Sequence, residues 1–366
     1  MTAIMPFSGS YAPDDVRFLL TPITVPDTPV SIKEALIQSG QKHYSQMLSH
    51  EALPSEDYLA LFYQAMAANK TRVAGHVAIL AERILATRPH GITLVSLARA
   101  GTPIGVLLKQ VLKRHFNTDA AHYSISILRD VGMDLNALRF IVQDHAPETL
   151  VFVDGWTGKG VIARQLATSL QAFADTGGVS IPAELYVLTD LSGDAAVAAS
   201  SEDYLIPSCI LNATVSGLVS RSVYDGQLID AADFHGCVYY GQFEPHDLSN
   251  YFVDEILASV DLIRQNSKHQ QPIEVNPQQL QAISQALLHQ LAERYHISRQ
   301  HYIKPGIGEA TRVLLRREAR LLLLQDGESE ATLHLRWLAE SRSVPIAVCA
   351  DLPYRAVALI KEMHND

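Results

Sequence analysis

Residues 148–166, ETLVFVDGWTGKGVIARQL, constrain what this chain can fold into more than any other segment. A short apolar run ends at Asp154, the glycines Gly155, Gly158 and Gly160 follow, and an amphipathic stretch begins at Val161. Short apolar runs bounded by turn residues predict buried strands, and apolar residues at helical spacing predict helices. A strand, a glycine turn and a helix in that order make one unit of a parallel α/β sheet. The pattern recurs along the chain. Residues 71–87 predict a helix with Val73, Val77, Leu80 and Ile84 on one face, and residues 92–97 predict a strand. Thr102 and Pro103 then predict a helix start, with Thr as N-cap and Pro at the first position. Residues 123–128, 150–153 and 185–188 predict further strands, and residues 161–173 the helix after the glycine turn. No internal repeat or heptad run is present.

In open parallel sheets, ligands bind at the turns that leave the carboxyl ends of the strands. Two turns stand out. In the first, glycines let the backbone bend sharply and aim N–H groups at an anion, and the helix behind adds its positive end. Gly155, Trp156, Thr157, Gly158, Lys159 and Gly160 would cradle a phosphate, and Asp154 could hold sugar hydroxyls. The spacing is not that of a P-loop. In the second, TLVSLARAGTP, Arg99 with the backbone of Gly101 and Thr102 could hold another anion. Between them lies YSISILRDVGMD, whose Arg129 and Asp130 could enter the site or be an ordinary solvated strand end. TDLSGDAAV offers Asp190, Ser192 and Asp194; LNATVSGLVSRSV offers Asn212, Thr214, Ser216, Ser220 and Arg221. Either could line a pocket, although a loop and a buried packing strip are the plainer readings for any single residue.

This pair of turns resembles the type I phosphoribosyltransferase family over roughly residues 70–190. There, a strand, an acid and a Thr-Gly loop bind the ribose-5-phosphate part of phosphoribosyl pyrophosphate, matched here by Asp154, Thr157 and Gly158. An earlier strand-Arg-x-Gly turn, matched by Arg99 and Gly101, binds the pyrophosphate, and a mobile loop sits where Arg129 stands. The family usually has two adjacent acids before Thr-Gly; here the second position is Gly155, and the loop is one residue shorter. The resemblance implies Asp154, Arg99 and Arg129 as catalytic residues. It also implies a phosphorylated sugar substrate carrying magnesium, with no metal cage built from the protein, and a possible homodimer.

The clearest boundary is residues 265–279, QNSKHQQPIEVNPQQ, with a linker's composition. It predicts a first domain over 1–264 and a second over 280–366. In the second, residues 281–295 and 330–339 predict helices, and 321–324 and 345–349 strands, with a turn and a helix in KPGIGEATRVLLRREAR. This order resembles the RNA-binding domain shared by Pelota and the archaeal kink-turn-binding ribosomal proteins. Gly306, Gly308, Glu309, Thr311 and Arg312 match its RNA-touching turn and helix, Asp326 the end of its strand, and Arg316, Arg317 and Arg320 add basic character. Structured RNA is therefore an expected partner.

Net charge is −10, but residues 270–366 hold 11 Lys+Arg against 11 Asp+Glu, so the acidity belongs to the first part. An acidic body argues against broad phosphate-driven binding of nucleic acid. The N-terminus MTAIMPFSGS has no signal-peptide character, no apolar run is long enough for a membrane span, and three cysteines suit a cytoplasmic protein. The histidines lack zinc-site spacing. Cys237, near His235, and Cys209 are candidates for a thiol nucleophile, although the strand-like CVYYG favours a buried structural Cys237.

The expected fold is thus α/β: a type I phosphoribosyltransferase-like parallel-sheet domain followed by a small α/β, Pelota-like domain. That pairing resembles a family encoded in bacterial stress-response and tellurium-resistance operons, some of whose members are named cysteine proteases of the StiP type. It implies an enzyme using phosphoribosyl pyrophosphate to make a ribonucleoside-like compound. Two alternatives stay open: a non-catalytic sensor of a nucleotide or sugar phosphate with an RNA-binding tail, and a cysteine hydrolase or protease.

Overall fold

The computed structural model describes residues 5–266 and 276–362. The first part contains strands β1 (Arg17–Leu19), β2 (Thr21–Pro22), β3 (Thr93–Ala98), β4 (Ala121–Leu128), β5 (Gly132–Met133), β6 (Leu150–Thr157), β7 (Leu185–Asp190), β8 (Val197–Ser200) and β9 (Gly236–Cys237). Its helices are α1 (Val30–Gln38), α2 (Glu56–Thr87), α3 (Thr102–Phe116), α4 (Leu135–Asp144), α5 (Val161–Asp175) and α6 (Ser249–Gln265). Strands β1-β4-β3-β6-β7-β8 form one parallel sheet, with β5 folded back antiparallel on β4.

Alternation along each strand splits the core between the two faces. Leu94, Val151, Val153, Tyr186 and Leu188 pack with α2, α3 and α6, whereas Val95, Phe152, Leu185 and Val187 pack with α4 and α5. Each fully buried aliphatic side chain contributes about 1.5–3 kcal/mol.

Strands β3 and β6 are neighbours, but the chain leaves β3 toward β4 and leaves β6 toward β7, on the opposite side. Their carboxyl ends therefore open a crevice at the topological switch point. Both glycine turns lie there.

Several elements run longer than their sequence signals. Strand β6 continues through Asp154, Gly155, Trp156 and Thr157, because Asp154, Trp156 and Thr157 keep pairing with Val187, Thr189 and Asp190 of β7. The turn is thus Gly158–Gly160 alone. Helix α2 begins at Glu56 rather than at 71, where the Ser55 hydroxyl accepts from the Tyr58 N–H. The N-cap of α3 is Gly101, and Thr102 instead shares a 2.7 Å hydrogen bond with Ser124. Of the expected linker 265–279, Gln265 ends α6 and Pro277 opens the next helix; residues 267–275 lie outside those described.

The second part contains α7 (Pro277–Tyr295), β10 (Ile303–Pro305), α8 (Ile307–Arg316), β11 (Ala319–Leu324), α9 (Leu333–Ser341), β12 (Ile346–Val348) and β13 (Ala356–Ile360). Its sheet has the order β10-β13-β11-β12, with only the β11–β12 pair parallel. The expected helix over 330–339 is a short 3-10 turn followed by α9. The two parts share one continuous apolar cluster, and Tyr58 of α2 stacks on Trp337 of α9 with ring centroids 5.4 Å apart. Among the described residues, no helix is long and apolar enough to cross a membrane.

Candidate functional site

The floor of the crevice is built by backbone. At the end of β6, the Gly160 N–H donates to Thr157 Oγ1 (3.1 Å) and closes the turn. Gly160 has φ +66°, and a side chain there would run into Asp194. At the end of β3, a Cβ on Gly101 would stand 2.4 Å from the Val153 carbonyl, so only glycine lets the two turns approach. Arg99 is buried, donating to the Val219 carbonyl and to Asn212 Oδ1 (both 2.9 Å), with Glu51 at 3.8 Å. Asp154 stands in the wall between the turns, half-buried, and accepts from its neighbour's Gly155 N–H (2.8 Å). Burial raises its carboxyl to about 6, although Arg312 works in the other direction.

The second domain supplies the roof. Helix α8 points its start at β6: Gly308 packs so tightly on Trp156 that a Cβ there would come within 2.6 Å of the indole. Arg312 stacks over the same ring, 4.2 Å from its centroid. The Asp203 carboxylate accepts from the Ile307 N–H (2.9 Å) and the Arg355 N–H (2.8 Å), and Tyr354 donates to the Leu191 carbonyl (2.7 Å). Arg317 and the fully buried Glu34 of α1 form an ion pair.

Between floor and roof lie two adjoining cavities. One, of about 180 Å³, is lined by Arg99, Asn212, Arg221, Arg312 and Arg316. The other, of about 320 Å³, is lined by Lys33, Arg129, Thr157, Lys159, Lys304 and Glu309. Asp154 and Trp156 line both.

Cations dominate this space, and several make their hydrogen bonds to neutral oxygens. Lys159 donates to the carbonyls of Ile303 (2.8 Å) and Gln300 (3.1 Å), and Lys33 to the Ser49 hydroxyl (2.6 Å). Arg221 bonds the carbonyls of Tyr44 and Met47, and Arg316 bonds the Asn212 amide oxygen. Burial, then neighbouring cations, pushes Lys159 down to about 7, Lys33 to about 8, Arg316 to about 9 and Arg221 to about 10, the last with the Tyr44 phenol working the other way. Glu309 is the counterexample: burial would raise it, but Lys304, Arg312 and Lys159 outweigh burial and hold it at about 2. A crevice with these features favours an anion of high charge.

The structure thus brings Asp154, Arg99, Arg129, Trp156, Thr157, Gly158 and Lys159 to one crevice, with Gly101 and Gly160 shaping its turns. Thr102 is buried beneath it, and Gly155 faces Ile206 and Ala100. Asp190 does not belong to it. Its carboxylate is taken up by the N–H groups of Ser192, Gly193 and Ala195, which it ties into a loop. Asp194 pairs with Arg164 instead. Of the second polar segment, Asn212, Ser216 and Arg221 line the smaller cavity, while Thr214 and Ser220 are buried.

The residues matched to an RNA-touching turn all face inward. Gly306 packs on Leu191, Gly308 on Trp156, Glu309 and Arg312 line the larger cavity, and Thr311 is fully buried against His334. Arg320 and Asp326 are exposed elsewhere. The sequence reading missed Lys33, Glu34, Tyr44, Glu51, His301 and Lys304. The first four precede the recognised motifs and carry no spacing signal; the last two adjoin the GIGEATR segment.

Cys209 lines the smaller cavity, and Cys237 is fully buried; burial pushes both thiols up to about 12. His235 Nδ1 pairs with Ser126 Oγ (2.8 Å) rather than with a thiol.

Against known proteins, residues 9–257 match the family described as tellurite-like stress resistance cysteine protease StiP, and residues 282–362 match the PELOTA RNA binding domain. The chain is 41% identical over 367 residues to cysteine protease StiP of Acinetobacter baylyi (strain ATCC 33305 / BD413 / ADP1), covering 98% of this chain and 95% of that one. Among solved structures, it is similar to the hypoxanthine phosphoribosyltransferase of Trypanosoma cruzi, with TM-score 0.28 and 16% identity over 37% of this chain and 82% of that one.

Proposed function

The chain belongs to the StiP family; proceeding from that membership and from the two glycine turns that meet beside Asp154, we propose a phosphoribosyltransferase-like enzyme that uses phosphoribosyl pyrophosphate. The observation that carries this reading is the arrangement at the switch point. Two adjoining cationic cavities, one at each turn, share a single carboxylate wall. A sugar bearing phosphates at both ends fits that spacing of charge.

In this reading the Thr157–Gly160 turn holds the 5-phosphate through backbone N–H groups and Lys159. Asp154 accepts from the ribose hydroxyls. Arg99 and the Gly101 turn hold the pyrophosphate. The bond from the anomeric carbon to pyrophosphate breaks, with its electron pair leaving on the pyrophosphate oxygen. A bond to the acceptor forms on the opposite face, and the acceptor's proton passes to solvent. Positive charge develops on the sugar near Asp154, and negative charge on the leaving group near the arginines, so catalysis is electrostatic and positional. Magnesium would enter on the pyrophosphate's own oxygens and add to leaving-group stabilisation. Glu309 is held by Lys304 and Arg312, which leaves Asp154 as the carboxylate of the cavities available to a magnesium-bound water. The product would be a ribonucleoside-like 5-phosphate.

Calorimetric titration of magnesium-phosphoribosyl pyrophosphate tests the reading. Wild type should bind, and Asp154→Asn should bind more weakly by about 1.4 kcal/mol or more, a tenfold loss. No binding by wild type sinks it. Tight binding without turnover across a panel of acceptors would make the protein a sensor.

A second reading, hydrolysis through Cys209, is favoured by the name of the Acinetobacter relative and by that thiol's place in the smaller cavity. Against it, a thiol near 12 is almost wholly protonated at neutral pH, and a thiolate is the nucleophile. Full activity in a Cys209→Ala variant would discard it.

A further inference from the structure

Two guanidinium groups from opposite sides of the crevice converge on one neutral atom. Arg99, from the first domain, donates to Asn212 Oδ1 at 2.9 Å, and Arg316, from the second, donates to the same oxygen. Arg221 and Arg312 line the same cavity of about 180 Å³. Of these four arginines, Arg99 has Glu51 at 3.8 Å, which also acts on Arg316, and Arg312 shares Glu309 with Lys304; the hydrogen bonds of Arg221 and Arg316 go to carbonyl and amide oxygens. Drawing four like charges into a partly buried space costs Coulomb energy that an amide oxygen repays poorly. Guanidinium forks match phosphate oxygens in a bidentate fashion and repay it well.

We infer that Arg312 and Arg316 of the second domain form the other half of a pyrophosphate clamp with Arg99 and Arg221, so that the ligand bridges the two domains. This rests on the reading of the β3 turn as the pyrophosphate site and adds the second domain to it. It also assigns a different task to the helix that matches an RNA-touching motif. Its start is pressed on Trp156, its Ile307 N–H is bound to Asp203, and its Thr311 is buried. With the domains arranged in this way, α8 offers its basic side chains to a small polyanion enclosed in the crevice, not to a surface on which RNA could lie. Lys304, half-buried beside Lys159 in the adjoining cavity, adds second-domain charge near the 5-phosphate turn.

The test is calorimetry of inorganic pyrophosphate with the full-length chain and three variants, each checked by thermal melting. Arg99→Gln lies in the first domain; Arg316→Gln and Arg312→Gln lie in the second. We expect wild type to bind and each variant to lose roughly tenfold or more in affinity, the worth of a lost charge-assisted hydrogen bond. If Arg99→Gln weakens binding while both second-domain variants melt and bind like wild type, the clamp is confined to the first domain and the inference falls, with the β3 reading intact. If the second-domain variants weaken binding and Arg99→Gln does not, the β3 reading falls and the two-domain clamp falls with it. If Arg312→Gln and Arg316→Gln lose affinity for a structured RNA but keep it for pyrophosphate, the face serves RNA and the inference is overturned. Absence of binding by wild type overturns both.

Discussion

Lys159 shows at the residue scale how position decides charge. Burial first, and then a crowd of cations led by Lys304, hold its ammonium at about 7 instead of 10.5, although it donates to two carbonyls. The unfolded chain keeps the proton over that whole interval, so this group makes the unliganded protein more stable as pH rises from 7 toward 10. A bound phosphate does the opposite, favouring the ammonium. Binding of phosphoribosyl pyrophosphate near pH 7.5, with its 5-phosphate against Lys159, should therefore take up protons, and affinity should fall as pH rises through 7 to 9. Calorimetry in two buffers of different ionisation enthalpy measures the uptake, which should shrink in Lys159→Gln; buffer-independent heats in wild type would refute it. Lys159 was legible because it stands inside a recognisable turn. Its neighbours Lys304 and Lys33 were not legible as site residues, because they reach the crevice from chain positions far from that turn.

At the element scale, helix α8 and strand β6 fit each other through a glycine. A Cβ on Gly308 would stand 2.6 Å from the Trp156 ring, and a flat indole clamped under Arg312 has nowhere to go. Gly308→Ala should therefore cost about 1–3 kcal/mol of stability despite alanine's better helix propensity, as urea unfolding would measure. It should also weaken pyrophosphate binding by moving Arg312 and Arg316; a variant as stable as wild type would contradict the packing described. Strand-turn-helix units were legible from apolar runs and glycines. The length of β6 was not, because Trp156 and Thr157 are held in the sheet by pairing with β7, a contact no local signal announces. Asp190 misled for a related reason. A strand-ending acid has the same appearance in sequence whether it faces a ligand or, as here, knots its own loop.

The whole molecule carries −10, yet its crevice is cationic, because the balancing carboxylates lie elsewhere on the first domain. Net charge alone argued against phosphate ligands of the nucleic-acid kind and said nothing about a local site. The α/β architecture was legible from the order of elements. The composite nature of the site was not, since it depends on how one domain settles on the other, and that is decided by Asp203, Tyr354 and the Tyr58–Trp337 stack together.

That settling has a practical consequence. The chain has two tryptophans, and both lie at the junction: Trp156 under Arg312 and Gly308, Trp337 against Tyr58. All the indole light this protein emits therefore originates where its halves touch. Its intrinsic emission spectrum is a built-in gauge of whether they are together or apart, with no dye attached.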